Sequence, residues 1–218
     1  MSQTNVKEII AKRVAKELKD GYVVNLGIGL PTLVSNFIPD DIHIMLQAEN
    51  GILGMGSISK KGEENEDVIN AGNQYVNIVK GASFFDSVYS FSMIRGGHMD
   101  MTILGALQVD SMGNIASHMI PGKMVPGMGG AMDLVNGAKK VIVAMLHTSK
   151  GNPKILKECT LPLTAVKCVD MIITEKAVIE SGEHGLILKE IMPGSSIEDV
   201  LKYTEADLII DDLLLEEV

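Results

Sequence analysis

Tryptophan is absent from this 218-residue chain, and aromatic residues make up only 4% of it. A surface of stacking rings for nucleic-acid bases is therefore not available. The core has to be assembled from Val, Ile, Leu and Ala, with fourteen methionines whose flexible thioethers fill irregular gaps. Positive charge is also short, since 19 Lys and Arg face 28 Asp and Glu for a formal net charge of -9. Phosphate backbones and anionic lipid are bound by clustered cations, so general affinity for nucleic acid or a membrane surface is excluded, and an anionic ligand has to be held locally. Cysteine is limited to Cys159 and Cys168, with no CxxC pair and no histidine cluster beside them. Neither a disulfide framework nor a metal site is expected, and both thiols read as reduced and structural. No apolar run reaches the length of a membrane span, and the opening Met1-Ser2-Gln3-Thr4-Asn5 lacks the charged and apolar regions of a secretory leader. A cytoplasmic location is expected.

What is present is 46% hydrophobic and long enough to bury a sizeable core in one domain, residues 1–218. Asn5 with Glu8 reads as a capping box for a helix whose apolar face carries Val6, Ile9, Ile10, Val14 and Leu18, with Gly21 placed to end it. A strand over 22–26 follows, then Gly27-Ile28-Gly29 and a Pro31-started helix over 33–38. Further strands are expected over 42–46, 101–109, 140–145, 171–174 and 208–210, and a hairpin pairs 177–179 with 186–188. Asp86 and Ser195 or Ser196 are placed to cap helices, and another short helix begins at Ala131. Residues 110–114 read as a turn and the charged stretch 60–67 as a solvated loop. Alternating strands and helices predict an α/β fold.

Glu49, in Gln47-Ala48-Glu49-Asn50-Gly51, directly follows a predicted strand, and open α/β sheets place their ligands at the carboxyl ends of strands. Asn-Gly is equally a tight-turn pair, so spacing alone leaves a catalytic and a structural reading open. Gly27-Ile28-Gly29 lacks the third glycine and the distant acid of a dinucleotide fingerprint, and a dehydrogenase is correspondingly disfavoured. The segment Gly127-Met128-Gly129-Gly130 can expose backbone N–H groups to an oxyanion, or can be a plain loop. His98 and His147 have no Cys or Asp at nucleophile or metal spacing and read as structural. Lys123, Lys139 and Lys140 flank the glycine segment as a local positive rim or as ordinary solvated lysines.

Read together, 24–31 (Val-Asn-Leu-Gly-Ile-Gly-Leu-Pro), 47–51, 94–98 (Ile-Arg-Gly-Gly-His), 104–106 (Leu-Gly-Ala) and 121–134, from Pro121-Gly122-Lys123 to Met132-Asp133-Leu134, resemble the beta subunit of family I CoA-transferases, in the same order and over the chain to about Leu163. The resemblance implies a single α/β open-sheet domain of the CoA-transferase type with flanking helices. It also implies exchange of CoA between an acyl-CoA and a carboxylic acid by ping-pong chemistry through a glutamyl-CoA thioester. Glu49 matches the family's nucleophile, Gly129 or Gly130 its oxyanion donor, and Asn25 a position near the acyl group. Gly27, Gly29, Asn50, Gly51 and Lys123 fall in the motifs that carry the match and are expected to contribute to substrate binding. Coenzyme A is expected as a substrate, with no tightly bound cofactor and no metal. A separate alpha subunit is implied, in a heterodimer or heterotetramer. Ala48 departs from the serine usual before the glutamate, which changes local hydrogen bonding but leaves the nucleophile. The likeness extends to acetate or butyrate with acetoacetate enzymes and to succinyl-CoA:3-oxoacid enzymes. The lack of a basic residue beside Glu49 favours short acids without a second carboxylate. A sugar-phosphate isomerase and a non-catalytic ligand-binding module of the same architecture are the competing readings.

Overall fold

The structure, a computed structural model, describes residues 3–125 and 127–215. Met1, Ser2 and the motif residue Pro126 thus lie outside the described residues. In chain order the elements are α1 (Gln3–Ala15), β1 (Val23–Leu26), a 3-10 helix (Leu30–Phe37), β2 (Met45–Ala48), β3 (Ile52–Ile58), β4 (Val76–Phe84) and α2 (Ser87–Arg95). There follow β5 (Met101–Leu104), β6 (Gln108–Asp110), β7 (Ile115–Ala116), α3 (Ala131–Gly137), β8 (Val141–Ala144), β9 (Thr148–Ser149), β10 (Asn152–Pro153) and β11 (Ile155–Leu156). The described residues end in β12 (Met171–Ile173), β13 (Ala177–Gly182), β14 (Gly185–Ile191), α4 (Ile197–Lys202), β15 (Leu208–Ile210) and α5 (Asp212–Leu215).

Ten strands form one sheet in the order β15-β14-β13-β12-β8-β5-β1-β2-β3-β4. Its centre, β12-β8-β5-β1-β2, is parallel, and antiparallel hairpins extend it on both sides. β5, β8 and β12 are buried along their whole length. Their runs of Val, Ile, Leu, Met and Ala, broken only by Thr102 of β5, fit strands covered on both faces. The period of two divides the core: Ile142 and Ala144 point to the cluster that includes Ile10 and Val14 of α1, while Val143 points to the opposite cluster with Ile172, Ile179 and Leu188. A third cluster sets Ile94 of α2 against Leu134 and Val135 of α3.

Several expectations shift. α1 begins at Gln3, so Asn5 lies inside the helix rather than at its cap, and the helix ends at Ala15, six positions before Gly21, in tight turns that still bury Leu18. The segment after Pro31 is a 3-10 helix. The expected strand over 42–46 forms three residues later, as β2, and the expected 101–109 strand breaks at 105–107 into β5 and β6. β3 and β4 were not anticipated; bulges in their pairing scramble the alternation that would have marked them. Asp86 caps α2 by accepting from the Tyr89 N–H at 2.8 Å, and Ser196 caps α4. Residues 60–67 are exposed, as a solvated loop should be.

Candidate active site

The carboxyl ends of β1, β2 and β5 open onto a cavity of about 720 Å³. Leu26, Ile28, Met55, Leu104, Leu107, Met128 and Leu134 give it an apolar wall, and Asn25, Glu49, Asn70, Ser117 and His118 are among its polar groups. Among the described residues no Lys or Arg lines it.

Glu49 begins the turn between β2 and β3, where the Gly51 N–H closes onto the Ala48 carbonyl at 2.9 Å. Gly51 takes a φ of +118°, and a Cβ there would stand 2.0 Å from the Phe85 carbonyl oxygen, so the Asn-Gly pair follows from how closely the two segments pass. The turn leaves the Glu49 side chain half-buried, and the Gly130 N–H donates to Glu49 Oε1 at 3.1 Å. A Cβ on Gly130 would lie 2.3 Å from Oε2, so only glycine lets the backbone approach this carboxylate. Gly129 sits beside it, with Glu49 Oε1 3.2 Å from where its Cβ would be.

Asn25, 4% exposed, is oriented by donating its amide to the backbone carbonyl and to Oε1 of Gln47, at 3.2 and 2.7 Å. Gln47, fully buried, donates in turn to Ser90 Oγ of α2 at 2.8 Å. With its N–H groups used in this way, Asn25 has its Oδ1, an acceptor, to offer the cavity.

Of the residues singled out from sequence, Asn25, Gly27, Glu49, Gly129 and Gly130 line the cavity. Gly29, Asn50, Gly51 and Lys123 do not. Gly29 precedes the 3-10 helix and accepts from the Thr32 hydroxyl, and Asn50 donates to the Ile69 carbonyl, tying the 69–72 loop to the Glu49 turn. Lys123 is an exposed turn residue. Lys139 and Lys140 form no positive rim, because they pair with Asp100 and Glu17 at 2.8 and 2.9 Å. His98 is exposed, and His147 is a core histidine bracketed by Thr174 and Thr204, both at 2.9 Å. Cys159 and Cys168 are free thiols, with burial pushing Cys159 up to about 12 and Cys168 up to about 11, which suits inert structural cysteines. His118, Ser117 and the 69–72 loop were not singled out. The one available signal was the position of His118 just ahead of the glycine-rich segment. No cluster of metal-ligating side chains occurs among the described residues, nor a helix long and apolar enough to cross a membrane.

The Coenzyme A transferase family matches residues 7–203. The beta subunit of the acetate CoA-transferase of Haemophilus influenzae is 56% identical over 95% of this chain and 93% of its own length. A subunit of the probable succinyl-CoA:3-ketoacid coenzyme A transferase of Bacillus subtilis is 52% identical over 94% of this chain and 96% of its own. An acyl-CoA transferase of Escherichia coli O157:H7, solved as a thioester complex with CoA, superimposes with a TM-score of 0.74 at 26% identity. That match covers 96% of this chain but 42% of the longer protein.

Proposed function

Because this chain belongs to the coenzyme A transferase family, we propose that it is the beta-type subunit that carries the nucleophile, Glu49, and moves CoA between a short-chain acyl-CoA and an acid of the acetate, butyrate and acetoacetate class. The observation that carries this reading is the half-buried Glu49 carboxylate at the carboxyl end of β2, facing an apolar cavity and held by one backbone N–H from a glycine pair. An ionised carboxylate needs no base to attack a thioester carbonyl. One Glu49 oxygen adds to that carbon, and collapse of the tetrahedral adduct expels CoA thiolate and leaves a mixed anhydride. The thiolate then attacks the glutamyl carbonyl and releases the donor acid, leaving glutamyl-CoA. The acceptor acid runs the same steps in reverse.

Each addition develops an oxyanion, and preorganised N–H donors stabilise such charge most effectively where water is excluded. Gly130 is assigned that role, since its N–H already meets the carboxylate, with Gly129 setting the loop beside it. The apolar wall suits an anhydride that water would hydrolyse. A phosphorylated sugar would need cationic anchors, and the absence of Lys and Arg from the described cavity wall argues against an isomerase. The same absence favours acids without a distal carboxylate over succinate.

An alpha-type subunit is inferred from the subunit names of the relatives and from the longer acyl-CoA transferase chain, of which this one spans 42%. The edge strand β4 and the start of α2 leave Val79, Phe84, Val88 and Tyr89 exposed, apolar side chains of the kind a permanent partner covers. We assign the alpha-type subunit to this face.

The test is intact-protein mass spectrometry on this chain co-expressed with the alpha-type subunit, after acyl-CoA and borohydride. Reduction of glutamyl-CoA releases CoA and converts the Glu49 carboxyl to an alcohol, so a mass loss mapping to Glu49 and dependent on acyl-CoA is expected, and Glu49→Gln removes both it and exchange. No mass change in an assembled enzyme would move the ligand-binding reading to the front.

A further inference from the structure

Assigning Glu49, Asn25 and the glycine pair leaves one polar side chain of the cavity without a task. His118 lines the cavity yet is only 7% exposed. Its Nδ1 lies 3.0 Å from Oγ1 of the buried Thr164, which also accepts from the Ser117 N–H at 3.0 Å and stands 2.9 Å from Ser117 Oγ. Thr164 has one hydrogen to give and two lone pairs. Where Ser117 Oγ is the donor of that pair, Thr164 gives its hydroxyl hydrogen to Nδ1 and the ring proton resides on Nε2; where Thr164 donates to Ser117 instead, it accepts from Nδ1–H, and the first arrangement is the one assigned below.

The ring is thus anchored through Nδ1, while Nε2 has no protein partner among the described residues. It is not enclosed in the core either, unlike the partnerless hydroxyls of Thr102 and Ser181. The other polar side chains of the wall are engaged or are acceptors, save one amide hydrogen of Asn70. Asn70 is occupied by Gly72 and Gln74, Thr32 donates to the Gly29 carbonyl, and Asn25 gives its amide to Gln47.

We propose that His118, through Nε2–H, is the specificity contact that reads a neutral carbonyl oxygen on the acid beyond its carboxyl carbon, as a 3-oxoacid carries. The assignment rests on the reading of this cavity as a CoA-transferase acyl site. Two observations select a neutral oxygen. Apart from one remaining Asn70 amide hydrogen, a side-chain donor is what the site otherwise lacks, and a distal carboxylate would enter an apolar cavity with no Lys or Arg among its described lining to meet its charge. A site built around one hydrogen bond discriminates against the analogue lacking the partner atom, because its buried polar group is then left unpaired. Thr164 is a positioning residue that selects the tautomer.

The test uses the enzyme assembled with its alpha-type subunit and one acyl-CoA donor, with kcat/KM measured for acetoacetate and butyrate as acceptors. The ratio of the two is expected to fall by about tenfold or more in His118→Leu, as for loss of one buried hydrogen bond, and to be partly restored in His118→Gln, whose amide N–H replaces the donor. Thr164→Val lowers the ratio with the imidazole still present. A ratio in His118→Leu within about twofold of the parent overturns the proposal. Should that variant fail to assemble, nitrogen-15 NMR of the imidazoles in the unaltered enzyme decides: the His118 Nε2 resonance moves with acetoacetate and not with butyrate, and equal response to both overturns the assignment. A parent enzyme that exchanges CoA with no acid sinks the CoA-transferase reading itself, a result distinct from exchange with an unchanged ratio.

Discussion

At the scale of single residues, the site depends on the side chain that Gly130 lacks. Adding one carbon there brings it 2.3 Å from Glu49 Oε2, well inside contact distance, so either the carboxylate or the backbone has to move. Gly130→Ala is therefore expected to keep the fold, as judged by circular dichroism, while kcat falls by roughly 100-fold or more, because a near-attack geometry tolerates little displacement and the N–H donor shifts with the backbone. A variant within a few-fold of the parent kcat would remove Gly130 from the oxyanion role. Ala48 beside Glu49, the proposed nucleophile, is 4% exposed, and its methyl is absorbed by the core.

Between elements, the Asn25 wall of the cavity is held by a polar chain that crosses three of them: Asn25 on β1, Gln47 on β2 and Ser90 on α2. Ser90 is fully buried, so Ser90→Ala leaves the Gln47 amide with a buried donor unpaired and frees Gln47 to turn away from Asn25. A loss of about 1–3 kcal/mol in urea denaturation is expected, with a rise in KM for the acid larger than the change in KM for acyl-CoA. Equal stability in the variant would mean that Gln47 finds another partner. On the other face of the sheet, Glu17 joins α1 to β8 by accepting from Arg13 and Lys140, both at distances under 3 Å. Burial opposes ionisation of Glu17, but these two cations outweigh it and hold its carboxyl below the usual carboxylate range.

For the whole molecule, His147 is one source of sensitivity to mild acid, above the range in which carboxylates such as Glu17 protonate. Burial is the main cause that lowers its value to about 4, helped by the positive charges of Lys176 and Lys154 and opposed by Asp199. The unfolded chain takes up a proton near the ordinary histidine value and the folded chain does not. The contribution is therefore complete above that ordinary value and declines as pH falls toward 4. Between about pH 7 and about pH 5 the parent is expected to lose roughly 2 kcal/mol that His147→Gln does not lose, measured as the difference between their urea midpoints at the two pH values. Parallel pH dependence in the two proteins would place the acid sensitivity elsewhere.

Much of this architecture is written locally. The apolar runs 101–104, 141–144 and 171–173 are strands because residues of that kind at that length satisfy a sheet buried on both faces, and Asp86 and Ser196 start helices because a short side chain there accepts an orphan backbone N–H. The position of Glu49 is legible for the same reason: a strand ending at a Glu-Asn-Gly turn puts the acid at a strand's carboxyl end, and motif order is the ground for the chemistry proposed for it. What local sequence does not contain is distance. Gly130 meets Glu49 across 81 positions and Thr164 stands against His118 across 46, so the proposed oxyanion donor is narrowed by sequence only to a glycine pair and His118 carries no local signal of its place. Local sequence leaves Lys139 and Lys140 open as a positive rim or as solvated lysines, and the fold pairs them with Asp100 and Glu17. Periodicity and capping act within a few residues, whereas a site is made by side chains that long-range strand pairing sets side by side, and only the folded chain decides which of them meet.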